Sequence, residues 1–171
     1  RVAKNHNELL DSVYKATRLR IDIIDGVEEA RLVSLGMKMS LPLQDSPFLG
    51  VDVGGGSTEI IIAQGNEVQY ACSLKLGAVV LSQIYDQGGQ FIPKNNHISE
   101  LENIINYRIT PLINEIKQHS YLQAVACSGA AKTLAYMDAK EGKGDQDQFD
   151  PNGYVLTKEN RARINKDIQA I

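Results

Sequence analysis

The stretch Asp52-Val53-Gly54-Gly55-Gly56-Ser57-Thr58-Glu59 sets two carboxylates around three glycines and two hydroxyls. Without a Cβ, glycine lets backbone N–H groups turn toward one point and lets a ligand come close. Concave rows of such N–H groups bind phosphate oxygens. Ser57 and Thr58 add hydroxyl donors. Asp52 cannot itself hold a phosphate, because like charges repel. It suits gripping a divalent cation such as Mg²⁺, or orienting water beside the phosphate. Glu59 lies on the next strand, and a hairpin-like return would bring it close to Asp52. The plain alternative is a glycine-rich β-turn with a solvated acid, yet three consecutive glycines cost chain entropy with no packing return. No Gly-Lys-Ser/Thr follows, so this is not a P-loop. A strand rather than a helix follows, so the dinucleotide fingerprint also fails.

Three further segments could carry chemistry. Asp25-Gly26-Val27-Glu28-Glu29-Ala30-Arg31 opens a helix with acids. The helix dipole favours negative charge there, which explains them without function; the functional reading has one glutamate activate water as a general base. Ala126-Cys127-Ser128-Gly129-Ala130-Ala131-Lys132 ends a strand in a small-residue turn at a helix start, where anions can bind, or where strand and helix merely pack closely. Lys75-Leu76-Gly77-Ala78 joins a strand to a helix, and Gly77 permits either a close approach or a plain loop.

The elements that position these residues follow from periodicity. Asn7–Leu19 reads as a helix with Asn7 as N-cap, Ile21–Ile24 as a short strand closed by an Asp25-Gly26 turn, and Glu28–Met39 as a helix. The two prolines of the 41–47 segment mark a domain boundary. Phe48–Val53 reads as a buried strand, Ser57–Gln64 as a second, and Val68–Leu74 as a third, with Val68, Tyr70 and Cys72 alternating. Gly65-Asn66 makes the turn between the last two. Gly77–Tyr85 is helical, Gly88-Gly89 interrupts, and Ile98–His119 is a helix whose Ile98, Leu101, Ile105, Ile109, Leu112 and Ile116 share a face. Pro111 should kink or split it. Leu122–Cys127 is a fourth strand, Ala130–Ala139 a helix, Lys140–Gly153 a polar surface loop, and Thr157–Ile171 a last helix with few apolar anchors. This order predicts an α/β fold, a mixed sheet flanked by helices.

The bulk properties narrow the functions. Of 171 residues, 43% are hydrophobic and 23% charged, as in an ordinary globular protein. A net charge of −3 argues against broad binding to nucleic acid. No apolar run approaches the ~20 residues that cross a bilayer, and no signal peptide follows Arg1-Val2-Ala3-Lys4. Cys72 and Cys127 read as half-buried thiols in a reducing, cytoplasmic compartment. His6, His97 and His119 read as surface residues.

At Ile24–Leu32, Val51–Glu59, Leu76-Gly77-Ala78 and Ser128-Gly129 the chain resembles the exopolyphosphatase and guanosine pentaphosphate phosphohydrolase family, in order and spacing up to the Lys140 loop. The resemblance implies the actin-like, sugar-kinase-related fold, in which two ribonuclease-H-like domains face each other across a cleft. It implies release of terminal phosphate from inorganic polyphosphate, or of the 5′ phosphate of guanosine pentaphosphate, with Mg²⁺, by a protein whose full-length form could be a homodimer. Carried over, Glu29 is the general base. Asp52 and Glu59 manage metal and water. Gly54, Gly55, Gly56, Ser57 and Thr58 form the phosphate loop, joined by Gly77, Ser128, Gly129 and Arg1.

Three departures stand out. The family's opening Asp-x-Gly-Ser-Asn-Ser loop is absent, as are its last strand and helices, and Ala130 replaces the threonine that normally follows Ser-Gly. On this reading residues 1–44 are the end of domain I and 45–171 most of domain II, so that the 171-residue chain alone is expected to be inactive. A phosphate-binding regulatory module without turnover and a nucleotide-dependent kinase of the same superfold are the competing functions.

Overall fold

The computed structural model describes residues 4–85, 95–141 and 149–169. Arg1 and the Gly88-Gly89 pair lie outside the described residues. The element order is α1 (His6–Thr17), α2 (Gly26–Ser40), β1 (Phe48–Val53), β2 (Thr58–Gln64), β3 (Glu67–Leu74), α3 (Ala78–Gln83), α4 (Asn95–Gln118), β4 (Gln123–Cys127), α5 (Ser128–Glu141) and α6 (Lys158–Gln169). The strands form one mixed sheet in the order β3-β2-β1-β4. β1 runs antiparallel to β2 and parallel to β4, and β2 runs antiparallel to β3. The parallel β1–β4 pair requires a crossover, and α3 and α4 supply it.

One face of the sheet carries Phe48, Ile61, Ala63 and Val125, which form the core with Ala30 and Met37 of α2 and with Leu43. Residues on both sides of the 41–47 segment therefore share one core. α2 crosses this face close to the backbone: a Cβ on Gly50 would stand 2.9 Å from the Met37 sulfur. At its C-terminal end, Lys38 Nζ donates to Asn66 Oδ1 in the β2–β3 turn, 2.9 Å away. Glu28 and Glu29 stand in the first turn of α2, at the end away from this contact. The other face buries Ile60 and Ile62 and carries Tyr70, whose ring lies 5.9 Å from that of His119.

Several expectations need correction. Ile21–Ile24 form no strand; they carry no regular secondary structure, and Ile21 is 49% exposed. β-branched composition alone does not make a strand when the fold provides no partner. Asp25 is the N-cap of α2 and accepts from the Val27 and Glu28 amides, so Asp25-Gly26 starts the helix rather than closing a strand. Asn7 lies inside α1, whose cap position is Asn5. β2 begins at Thr58, one residue late, and Thr157 caps α6 from outside, accepting from Asn160 N at 3.2 Å. Pro111 sits within an unbroken α4. α5 continues through Glu141, and 142–148 lie outside the described residues. His6, His97 and His119 are half-buried rather than superficial, and His97 stacks on Tyr85 at 4.3 Å.

The expected alternation in β3 also fails, and this matters for the site. The register shifts between Ile62 and Ala63. Val68, opposite Ala63, packs on the α2-covered core, whereas Tyr70 and Cys72, opposite Ile62 and Ile60, face the other way. A β-bulge inserts one residue and changes which side chains share a face beyond it.

Candidate active site

The β1–β2 register places Asp52 opposite Glu59, as the hairpin reading expected. Glu59 is in turn opposite Ser73 on β3, and Asp52 is opposite Cys127 on β4. Ser73, Glu59, Asp52 and Cys127 thus form one row across all four strands, on the face that α2 covers. Glu59 is only 2% exposed, and its Oε1 accepts a 2.7 Å hydrogen bond from Ser73 Oγ. Asp52 Oδ1 is buried with no hydrogen-bond partner. The Cys127 thiol is pushed up to about 12, first by burial and then by the neighbouring Asp52 and Glu59. It stays a neutral thiol beside the acids.

The glycine loop joins β1 to β2. Gly54 N donates to Ser57 O at 2.9 Å, so the Gly54 amide is committed to the turn. The Gly54 carbonyl accepts from Ala78 N at 2.9 Å, and the Gly55 carbonyl accepts from Val79 N and Val80 N at 3.0 and 3.2 Å. Among the described residues all peptides are trans. In a trans peptide the N–H points opposite to the C=O. Holding the Gly54 and Gly55 carbonyls toward α3 therefore turns the Gly55 and Gly56 amides away from it. Among the described residues the amides of Gly55, Gly56 and Ser57 have no hydrogen-bond partner, and neither does the Ser57 hydroxyl. None of the three glycines has a left-handed φ. What glycine contributes here is the missing side chain: at Gly56, among the described residues, nothing beyond its chain neighbours lies within 4 Å of the place a Cβ would take.

Two loop residues do something other than expected. The Thr58 hydroxyl is buried and donates to the Leu76 carbonyl at 2.9 Å, so its hydrogen fastens the 76–77 turn and is not available to a phosphate. Gly77 does permit a close approach, but to the chain itself: a Cβ there would meet Gly55 O at 2.2 Å and Gly56 N at 2.4 Å. Gly77 is a backing plate for the loop.

On the other side of β1, the β4–α5 turn reaches the same end of the sheet. Ser128 Oγ donates to the Val53 carbonyl at 2.6 Å. Ser128 adopts φ 76°, a left-handed conformation uncommon for a residue with a side chain. Such backbone strain clusters at functional sites. Gly129 has open space where its Cβ would be, and the first-turn amides of α5 lack intrahelical acceptors. Ser128 and Gly129 thus stand next to the glycine loop, but the Ser128 hydroxyl hydrogen is committed to β1.

The two glutamates of α2 are now distinguishable. Glu28 makes a two-pronged contact with Arg31, 2.8 Å to Nε and 2.7 Å to Nη2. That hydrogen bonding holds its carboxyl below the ordinary value. Glu29 is half-buried, and its carboxylate has no hydrogen-bond or ion-pair partner among the described residues. The distinction was not legible in the repeated Glu-Glu. Ser73 and Cys127 were missed as neighbours of the acids altogether. A lone serine in a strand carries no motif signal, and its register depends on the bulge.

The fold is a mixed α/β sheet flanked by helices, with a glycine loop beside two acids paired in register. The model of the Ppx/GppA phosphatase family matches residues 1–170, and the chain belongs to that family. Among solved structures it is similar to an exopolyphosphatase from Cytophaga hutchinsonii, with 26% identity and a TM-score of 0.80 over 98% of this chain and 53% of that one. It is also similar to the Aquifex aeolicus member of the Ppx/GppA family, with 24% identity and a TM-score of 0.75 over 99% of this chain and 52% of that one. The chain therefore spans about half the length of the structures it matches. Among the described residues no helix is long and apolar enough to cross a membrane.

Proposed function

We propose that this chain provides the phosphate loop, the cation-binding acids and the general base of a phosphoanhydride hydrolase that releases terminal phosphate from inorganic polyphosphate, guanosine pentaphosphate, or both. The observation that carries the reading is the pairing of three free adjacent amides, at Gly55, Gly56 and Ser57, with two acids in direct register beneath them. Phosphoryl transfer of this kind depends on positioning and charge neutralisation more than on covalent chemistry. The amides and the Ser57 hydroxyl would hold phosphate oxygens. Glu29, at the start of α2, would take the proton of the attacking water, because it is the glutamate left free by Arg31.

Two carboxylates beside a polyanion need a cation. The orphaned Asp52 Oδ1 is a vacant oxygen ligand, which fits one. Among the described residues no group of three or more His, Cys, Asp or Glu side chains could hold a metal. Mg²⁺ is commonly held by one or two carboxylates together with water and substrate phosphates. Asp52 and Glu59 would hold it, and when bound it would offset the charge on the phosphates.

In this reading residues 45–171 are most of the second domain, and the opposing jaw of the cleft lies in the other half of a longer enzyme. The test is inorganic phosphate release from long-chain polyphosphate and from guanosine pentaphosphate, run in parallel on the product of the complete reading frame and on the 171-residue chain. Release by the first and none by the second is expected. Tight binding of either compound by the complete protein without release would identify a regulatory module instead.

A further inference from the structure

Of the two paired acids, Glu59 is the one held in place. Ser73 stands opposite it on β3 and donates its hydroxyl hydrogen to Oε1 at 2.7 Å. Asp52, on the other side, has an oxygen with no partner. Ser73 itself is exposed and lies on the edge strand of the sheet, so packing does not require a serine there. The bulge decides the pairing. Counted back from the Gln64–Glu67 pair, an undisturbed hairpin would set Glu59 opposite Cys72, a weak donor. The shift between Ile62 and Ala63 sets it opposite a hydroxyl instead.

We propose that Ser73 is a positioning residue of this site: its hydroxyl fixes the rotation of the Glu59 carboxylate, tying Oε1 to β3 and leaving Oε2 for the divalent cation. The inference rests on the reading of Asp52 and Glu59 as cation ligands. Partners that orient a ligating carboxylate influence metal affinity without touching the metal, and removing them costs about 10–100-fold.

The test is a Mn²⁺ titration of the 171-residue chain followed by electron paramagnetic resonance, with thermal unfolding of each variant alongside. Ser73→Ala should bind Mn²⁺ about 10-fold more weakly and unfold at the same temperature, while Ser73→Thr, which keeps a hydroxyl, should stay within about 3-fold of the unsubstituted chain. Ser73→Cys keeps the shape with a weak donor and should resemble the alanine variant; it serves if Ser73→Ala fails to fold. Glu59→Gln should lose binding. Unchanged affinity in Ser73→Ala alongside lost affinity in Glu59→Gln would overturn the positioning role and leave the cation reading intact. So would equal weakness of the alanine and threonine variants. An unsubstituted chain that takes up no Mn²⁺, or a Glu59→Gln variant that binds normally, would overturn the cation reading and this inference with it.

Discussion

A Cβ on Gly77 would stand 2.2 Å from the carbonyl oxygen of Gly55. The contact is backbone against backbone, so no side chain can swing aside to relieve it. Gly77→Ala should force the 55–56 peptide away from α3, destabilise the chain by about 1–3 kcal/mol, and weaken tripolyphosphate binding. Gly56→Ala is the informative contrast. Among the described residues, nothing beyond its chain neighbours lies within 4 Å of that Cβ position, so the fold should hold while a methyl group enters the space where a phosphate would sit. Thermal unfolding paired with calorimetry on tripolyphosphate separates the two effects. Normal binding by Gly56→Ala would show that the anion sits elsewhere.

The adjacent glutamates of α2 should differ sharply when each is replaced. In the complete protein, Glu29→Gln should lower turnover by orders of magnitude with substrate binding largely kept, whereas Glu28→Gln should leave turnover near its normal rate, because Glu28 is engaged with Arg31 on the surface. Steady-state phosphate release for both variants checks this. If Glu29→Gln turns over normally, the base has been misassigned.

Cys127 should be inert as a nucleophile. With its thiol at about 12, roughly one molecule in 10,000 carries the thiolate at pH 8, and alkylation depends on the thiolate. Iodoacetamide labelling read by mass spectrometry should therefore be far slower at Cys127 than at a free small thiol. Asp52→Asn removes one of the causes but not the burial, so it should accelerate labelling only in part. Rapid labelling of Cys127 in the unsubstituted chain would contradict its placement beside Asp52.

Asp138 ties the last helices together. It is 3% exposed and accepts from Tyr154 Oη at 2.7 Å, from Asn160 Nδ2 at 2.8 Å and from Arg163. Burial alone would raise its pKa, but these donors and the Arg163 charge outweigh burial and hold it below the ordinary value. A lowered folded-state pKa gives stability that is present above the unfolded value, about 3.9, and is lost as pH falls through the folded one. The melting temperature of the chain should therefore exceed that of Asp138→Asn at pH 7, and the gap should close as pH falls below about 4. A gap that stays constant down to pH 3 would mean the ionised carboxylate is not what matters.

How much of this was readable beforehand depended on range. β1, the Gly65-Asn66 turn and the Asp52–Glu59 pairing follow from local signals, because a glycine loop between two apolar runs leaves the chain little choice but to fold back. Ile21–Ile24 misled because a strand needs a neighbour, and composition does not reveal whether one exists. The role of Gly77 was hidden for a similar reason: its partner is a peptide more than twenty positions earlier in the chain. Thr58 looked like a phosphate donor until the 76–77 turn appeared beside it to take its hydrogen. Ser73 could not be placed at all, since a bulge that no residue type announces decides which β3 side chain meets Glu59.

In the proposed site Gly55, Gly56 and Ser57 present their amides to one anion. Backbone amide chemical shifts of the isotopically labelled 171-residue chain, followed during titration with tripolyphosphate in the presence of Mg²⁺, test it most directly. The largest changes should fall on those three amides, with smaller ones at Gly129 and Ala130 where α5 begins. Saturable binding that leaves the Gly55–Ser57 amides unmoved would contradict the account.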